Sequence, residues 1–187
     1  GTDFLFPEIK YKFHACCHGL HSFLEALDEM KLENNFNPET IEEIAIETNP
    51  SWLKVCNIEE PKTGLESKFS YKLTAAMSIY GKDTSNLDTY SDEICFDDKL
   101  NNIRDKVRVI PNDNLSNTQS LISIKDGSSN VKNKHDLSDK IENNILETKI
   151  VNKSVSLLSE TKSNQISKIL NAPNENKVDA LVDCLVS

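Results

Sequence analysis

The hydrophobic and polar positions near the start of the chain follow the period of an amphipathic helix. The helix is predicted to continue to about Leu32, because the asparagines and the proline of residues 34–38 would break it. A second interpretation starts it only at Ser22, since Ser22-x-x-Glu25 has the spacing of a capping box. The side that it would bury carries Leu20, Phe23, Leu24 and Leu27, and a second side carries His14, Cys17, His18 and His21.

Alternation of apolar and polar residues predicts strands farther along the chain. Ile44 and Ile46 fall on one face of such a segment, and Glu47 falls on the other. Asp126-Gly127 is a strong hairpin signal, so a strand is expected on each side of it. The predicted strands are residues 40–48, 107–110, 120–125 and about 129–134.

Helical patterns separate these strands. One ends at Gly81, a residue type that often terminates helices, and another covers about residues 90–103. Residues 1–11 are expected to be extended, with Phe4 and Phe6 among their apolar contacts. We therefore predict an α+β fold over residues 1–135, in which a small antiparallel sheet carries helices on one face.

The pattern changes after His135. Residues 136–187 contain short helical stripes of isoleucine, leucine and valine among asparagine, lysine and serine. These stripes are too narrow to build a separate core, and 37% hydrophobic residues is a low content for a self-sufficient globule of this size. The segment is therefore expected to pack on a surface outside this chain.

Charge and composition exclude several classes of partner. A net charge of −9 with scattered basic residues argues against nucleic acid. The chain contains no long apolar run, so no interaction with a membrane is expected. Five cysteines without a C-x-x-C pair suit a reducing compartment, which predicts a cytoplasmic location.

The histidines and cysteines of residues 12–21 are the strongest chemical signal. A lysine and imidazoles at the start of a helix can bind an anion and exchange a proton. The same residues could instead ligate Zn²⁺, because His14, Cys17, His18 and His21 are spaced i, i+3, i+4, i+7. That spacing is permissive, and His135 is the only histidine elsewhere, so no metal site is predicted.

Three segments resemble the MmgE/PrpD family, which includes 2-methylcitrate dehydratase, cis-aconitate decarboxylase and iminodisuccinate epimerase. Residues 12–21 (KFHACCHGLH) match its K-x-x-x-x-C-x-G-x-H signature, and residues 61–71 (PKTGLESKFSY) match its P-x-T-G-x-E-x-K-F-S run. The third segment comprises the strands at residues 107–110 and 120–125 with the Asp126-Gly127 turn. The resemblance covers about residues 8–135 well and the rest weakly.

The resemblance implies an architecture and a reaction. Family members insert an α+β lid domain into a larger helical domain, so this chain resembles the lid followed by C-terminal helices, without the N-terminal helical domain. Relatives form homodimers through that domain. They are lyases and isomerases that need no cofactor and remove a proton α to a carboxylate of a small di- or tricarboxylate. The fragment alone is expected to be inactive, because the other acid/base residues lie in the missing domain.

The resemblance also assigns roles to individual residues. Lys12 is expected to pair with the substrate's charge, and His21 is expected to orient or exchange a proton. His14 and Ala15 stand where many relatives carry tyrosine and proline, which leaves the substrate open. The expected substrate-binding residues are Cys17, His18, Gly19, Lys68 and Ser70.

Two other classes of function stay open on the residues alone. The chain could be a stand-alone metal-binding or ligand-binding module built on the histidine and cysteine run. It could also be an interaction domain without chemistry that uses its acidic surface and helical tail. Instead of binding substrate, Lys68 could equally cap the helix that follows or lie on its surface, with Phe69 packed in the core.

Overall fold

The computed structural model describes residue 2 and residues 9–127, 129–173 and 176–186. The predicted apolar contacts Phe4 and Phe6 lie outside the described residues. From residue 9 the chain runs without regular structure to a short 3₁₀ helix, His18–Leu20, which leads directly into helix α1, His21–Glu33.

Helix α1 begins one residue before the start that the capping-box interpretation gives, but the capping box itself does not form. Ser22 and Glu25 both lie inside α1, and neither caps it. The Ser22 hydroxyl donates a hydrogen bond of 3.2 Å to the carbonyl of His135, and Glu25 forms an ion pair with Lys149. Ser22 and Glu25 have the spacing of a capping box, but they form tertiary contacts instead of capping the helix.

The remaining helices and strands follow α1 in chain order. They are β1 Ile41–Thr48, α2 Pro50–Leu53, α3 Gly64–Ser67, α4 Tyr71–Ile79, α5 Asp98–Arg104, β2 Val107–Pro111, β3 Gln119–Asp126, β4 Ser129–Asp136, α6 Asn143–Leu158, α7 Glu160–Asn171 and α8 Lys177–Val186.

Among the described residues, four strands form one mixed sheet in the order β2-β1-β3-β4. The predicted α+β class is confirmed, and β3 and β4 form the expected hairpin, which turns at Gly127 with a φ of +58°. The prediction of a purely antiparallel sheet is wrong, because β1 and β2 run parallel, with Ile44 opposite Val107. A parallel pair needs a long crossover, and residues 49–106 provide one through helices α2–α5.

The core lies between one face of this sheet and helices α1 and α4. The predicted apolar side of α1 is confirmed, since all four of its residues are fully buried, and Phe23 packs 5.3 Å from the ring of Tyr71 in α4. The opposite face of the sheet is polar, with an ion pair of 2.7 Å between Glu43 and Arg108. The sheet contributes Ile41, Ile44, Ile46, Val107, Ile122 and Ile124 to the core.

The helical pattern predicted over about residues 90–103 is two elements, a 3₁₀ helix at Glu93–Phe96 and helix α5. Asp97 separates them because its backbone is extended and its carboxylate accepts hydrogen bonds from the amides of Lys99 and Leu100. An N-cap of this kind starts a new helix and ends the previous one. Phe96 is consequently exposed, although it continues the apolar pattern.

Helices α6–α8 pack in sequence on one another, α6 against α7 and α7 against α8. Within their described residues Ser163 is buried, whereas many apolar side chains are exposed, as the narrow stripes predicted. None of the helices in the described ranges is both long and apolar enough to cross a membrane. The exposed apolar residues are Ile145, Ile150, Val151, Leu157, Leu158, Leu170, Val178, Val182, Leu185 and Val186.

Candidate functional site

The histidine and cysteine run is held in place by two backbone hydrogen bonds to distant parts of the chain. The amide of Ala15 donates to the carbonyl of Thr84 at 2.8 Å, and the amide of Cys17 donates to the carbonyl of Lys68 at 2.9 Å. The residues up to Cys17 therefore form an ordered approach to α1 and are not its first turn. The run lies against the segment that carries the second family motif.

A cavity of about 370 Å³ opens beside this run. The three lysines among its described lining residues come from separate parts of the chain: Lys12 from the approach to α1, Lys68 from the segment after α3, and Lys153 from α6. No acidic residue is among the described residues that line the cavity. Its volume is in the range of small-molecule sites, and its charge suits an anion. The other lining residues are His14, Ala15, Cys16, Cys17, Leu65, Phe69 and Leu87.

His21 is shielded from solvent at the start of α1, with 1% of its surface exposed. Its pKa is lowered to about 3, mainly by burial, with smaller contributions from the neighbouring His14, His18 and Lys12, while the backbone of Cys16 opposes the shift. Neither ring nitrogen makes a hydrogen bond among the described residues. His21 is therefore a neutral imidazole at pH 7. Its ring centroid lies 5.2 Å from that of His14, which lines the cavity.

His14 connects the cavity to an ion pair whose carboxylate is buried. Its Nδ1 is hydrogen-bonded to the hydroxyl of Thr84 at 2.7 Å, and its Nε2 lies 3.3 Å from a carboxylate oxygen of Glu25. The second carboxylate oxygen of Glu25 pairs with Lys149 of α6. Burial would raise the pKa of Glu25, but His14 and Lys149 together lower it to about 2. These contacts join the approach segment, α1 and the C-terminal helices at one point.

His18 and Gly19 pack against Trp52. The ring of His18 lies between those of His21 and Trp52, with centroid distances of 5.2 and 6.4 Å, and burial lowers its pKa, with Lys12 adding to the effect. A Cβ at Gly19 would lie 2.5 Å from Trp52 Cε3, so no larger residue fits there. Within the described contacts Gly19 has a packing role, and its carbonyl accepts a hydrogen bond from the Tyr71 hydroxyl.

The second motif provides three cavity residues, Leu65, Lys68 and Phe69, and several structural ones. Lys68 lines the cavity, and its ammonium lies 5.6 Å from the centroid of the Tyr90 ring. Ser70 is fully buried and caps α4, where its hydroxyl accepts a hydrogen bond from the amide of Leu73. A Cβ at Gly64 would meet the Tyr90 carbonyl at 2.1 Å, so the glycine permits close backbone packing.

The structure thus divides the residues that the sequence singles out. Lys12, Cys17 and Lys68 line the cavity, whereas His18 and His21 pack beside it. Gly19 and Ser70 lie in structural positions and do not line it. His21, the first residue of α1, is buried although it does not belong to the predicted apolar side of the helix.

Sequence reasoning missed the residues that the C-terminal segment brings to the site. Lys149 and Lys153 are spaced i, i+4 and therefore share one face of α6. Their spacing was a readable signal, but it does not say what that face contacts. Thr84 gave no signal, because a single threonine in a turn is common.

The zinc interpretation of His14, Cys17, His18 and His21 has no geometric support. Among the described residues, no group of three or more histidine, cysteine, aspartate or glutamate side chains is arranged to hold a metal ion. The imidazoles pack ring against ring instead, with the ring centroids of His14 and His18 each 5.2 Å from that of His21.

Comparison with known proteins agrees with the motifs. The model of the MmgE/PrpD C-terminal domain matches residues 14–172, which is most of the chain, and Lys12 lies just before the matched range. No curated protein matches the chain. The match extends through β4 and α6 to the end of α7, so it includes much of the segment in which the motifs alone were weak. The chain therefore belongs to the MmgE/PrpD family.

Proposed function

We propose that this chain is the lid and C-terminal portion of a cofactor-independent lyase or isomerase of the 2-methylcitrate dehydratase type. The parent enzyme would act on a small di- or tricarboxylate by removing a proton α to a carboxylate. The observation that carries the proposal is a cavity whose described lining residues include Lys12, Lys68 and Lys153 and no acidic residue, beside a pair of packed histidines. A dehydratase, that is a carbon–oxygen lyase, is our first choice among the family's reactions.

The lysines account for substrate binding and for part of the catalysis. Removing a proton α to a carboxylate places negative charge on the carboxylate oxygens, and fixed cations lower the energy of that state. Lys12 and Lys68 supply such cations in a pocket whose wall includes Leu65 and Phe69, where an ion pair is stronger than in water. Cys17 would shape the same pocket next to the substrate.

His21 would orient or exchange the proton through His14, which lines the cavity and whose ring centroid is 5.2 Å from that of His21. A base must be unprotonated before it accepts a proton, and burial keeps His21 in this form. With a pKa of about 3 the ring is a weak base, but a carboxylate bound beside Lys12 would raise that pKa, since an opposite charge favours the imidazolium. Substrate binding would thus turn a weak base into an effective one.

The C-terminal helices support the proposal that a further domain is needed. The exposed apolar residues of α6–α8 form faces that would gain stability from a partner surface. We propose that an N-terminal helical domain covers them, completes the acid/base set and mediates homodimer formation. Cys16, Cys17, Cys56 and Cys95 are free thiols, as expected for the cytoplasmic location that we propose.

The test is steady-state kinetics of the parent enzyme that contains both domains, with 2-methylcitrate, cis-aconitate and iminodisuccinate-like substrates. Lys12→Ala should lower kcat/KM by about a hundredfold, because one charge partner of a developing anion is worth about 3 kcal/mol. His21→Ala should lose a comparable amount, and the double variant should lose clearly less than the sum.

The matched control is Lys132→Ala, which removes an exposed lysine from β4. Its kcat/KM should stay within about twofold of that of the unaltered enzyme. The isolated 187-residue chain should show no turnover. Turnover by that chain would contradict the need for a second domain. Lys12→Ala and His21→Ala variants as active as the control would refute the assigned site.

A further inference from the structure

One lysine of the cavity belongs to no family motif and comes from the C-terminal segment. Lys153 lies on α6 and lines the cavity together with Lys12 and Lys68. It is partly buried, and its ammonium donates a hydrogen bond of 2.7 Å to the carbonyl of Ser85. That carbonyl belongs to the turn that precedes Leu87, another residue of the cavity wall.

The position of Lys153 is determined by contacts on the same face of α6. One turn earlier, Lys149 forms the ion pair with Glu25 and places its ammonium 5.1 Å from the centroid of the Phe13 ring. Almost one turn later, the Ser156 hydroxyl lies 3.4 Å from the same Ser85 carbonyl, while its shorter hydrogen bond, of 2.8 Å, goes to the carbonyl of Lys153. These contacts come before and after Lys153 along α6. They therefore hold the helix against the cavity at the position of Lys153.

The ammonium of Lys153 can bind a ligand without breaking its contact with the protein. A lysine ammonium can donate three hydrogen bonds, and among the described protein contacts Lys153 makes one, to the neutral carbonyl of Ser85. Burial lowers its pKa, and the charge of Lys12 lowers it further, while Asp83 and Cys16 oppose the shift. An anion in the cavity would accept charge-assisted hydrogen bonds from the ammonium and reduce the repulsion between the lysines.

We propose that Lys153 binds a carboxylate of the substrate, so that the C-terminal segment supplies the third cation of the site. The inference rests on the proposed function, because it assumes that the cavity binds a carboxylate. It adds that the C-terminal helices position substrate directly, in addition to packing on another domain. It also narrows the expected substrate to a tricarboxylate, because three lysines suit three carboxylates better than a single negative charge.

The experiment measures binding of tricarballylate, an unreactive tricarboxylate, to the 187-residue chain by isothermal titration calorimetry. Lys153→Gln should weaken binding by roughly tenfold or more, as expected for loss of one charge-assisted hydrogen bond. It should also make the dissociation constant less dependent on salt. Lys153→Arg should retain most of the affinity, because it keeps the positive charge.

Three further variants make the result interpretable. Lys168→Gln removes an exposed lysine of α7 and should leave the affinity within about twofold. Ser156→Ala removes another contact to Ser85 without changing charge, and should also leave the affinity nearly unchanged. Lys12→Gln should weaken binding as the proposed function requires. Circular dichroism melts show whether each variant is folded under the conditions of the titration.

Each outcome separates the two proposals. If Lys12→Gln weakens binding but Lys153→Gln behaves like Lys168→Gln, the inference is overturned and the proposed function stands. If Ser156→Ala weakens binding as much as Lys153→Gln does, Lys153 acts only by anchoring α6, and the inference is also overturned. If the unaltered chain does not bind tricarballylate, the proposed carboxylate cavity fails and the inference fails with it.

Discussion

The buried neutral histidine at the start of α1 should make the stability of the chain depend on pH. The unfolded chain binds a proton at His21 near pH 6.5, whereas the folded chain resists that proton down to about pH 3. Between these values the unfolded state holds more protons, so the free energy of unfolding falls as the pH falls. Glu25 contributes a similar loss only below about pH 4.5, because its pKa is lowered from there to about 2.

The size of the effect follows from the two pKa values of His21. Protonating the unfolded chain alone, with a pKa of 6.5, stabilises it by about 2 kcal/mol at pH 5 relative to pH 7. Glu25 adds little at pH 5, so the comparison isolates the histidines. His18, whose pKa is also lowered by burial, should add a smaller contribution of the same sign.

The assay is urea denaturation at pH 7 and pH 5, followed by the fluorescence of Trp52, the only tryptophan in the chain. In His21→Gln, which cannot titrate in this range, the loss of unfolding free energy between the two pH values should shrink by about 2 kcal/mol. The matched control is His135→Gln, which removes a histidine whose ring pairs with Glu29 at the surface of α1.

The His135→Gln variant should keep the pH dependence that comes from His21, because its His21 is unaltered. If His21→Gln loses as much stability between pH 7 and pH 5 as the unaltered chain does, the folded state must protonate His21 readily. That result would refute both the buried neutral imidazole and the explanation of its low pKa.

Three further results test the packing of the lid and of the tail. Leu24→Ala should lower the free energy of unfolding by about 2–5 kcal/mol in urea titrations, because it leaves a cavity in the fully buried side of α1; a loss below about 1 kcal/mol would contradict that packing. Gly19→Ala should lower the melting temperature and shift the emission of Trp52, because the added methyl would lie 2.5 Å from the indole ring, and an unchanged spectrum and melt would contradict this close approach. Amide exchange in residues 143–158 and 160–171 should be faster than in α1, since those helices expose their apolar residues, and equal protection would show that they are anchored without a partner surface.

Periodicity alone was sufficient for the parts of the fold that follow local rules. The apolar side of α1, the alternation of Ile44 and Ile46 in β1, and the turn at Asp126-Gly127 all have the predicted positions. Each of these features depends on residues close in sequence, whose spacing reflects the geometry of a helix, a strand or a turn. The motifs also identified the family, because they combine specific residue types at specific spacings.

The tertiary structure decided the features that depend on residues far apart. The parallel pairing of β1 with β2 follows from a crossover of more than fifty residues, which leaves no local signal. Glu25 reads as a capping residue in the sequence, but the distant Lys149 and His14 make it a buried charge partner.

The site shows the same division between local and distant information. Sequence identified Lys12 and Lys68, because both belong to recognisable motifs, but it gave no reason to place Lys153 beside them. It also could not determine that His21 is buried and neutral. A pKa depends on solvent exclusion and on the charges that surround the group, and those are set by segments that folding brings together.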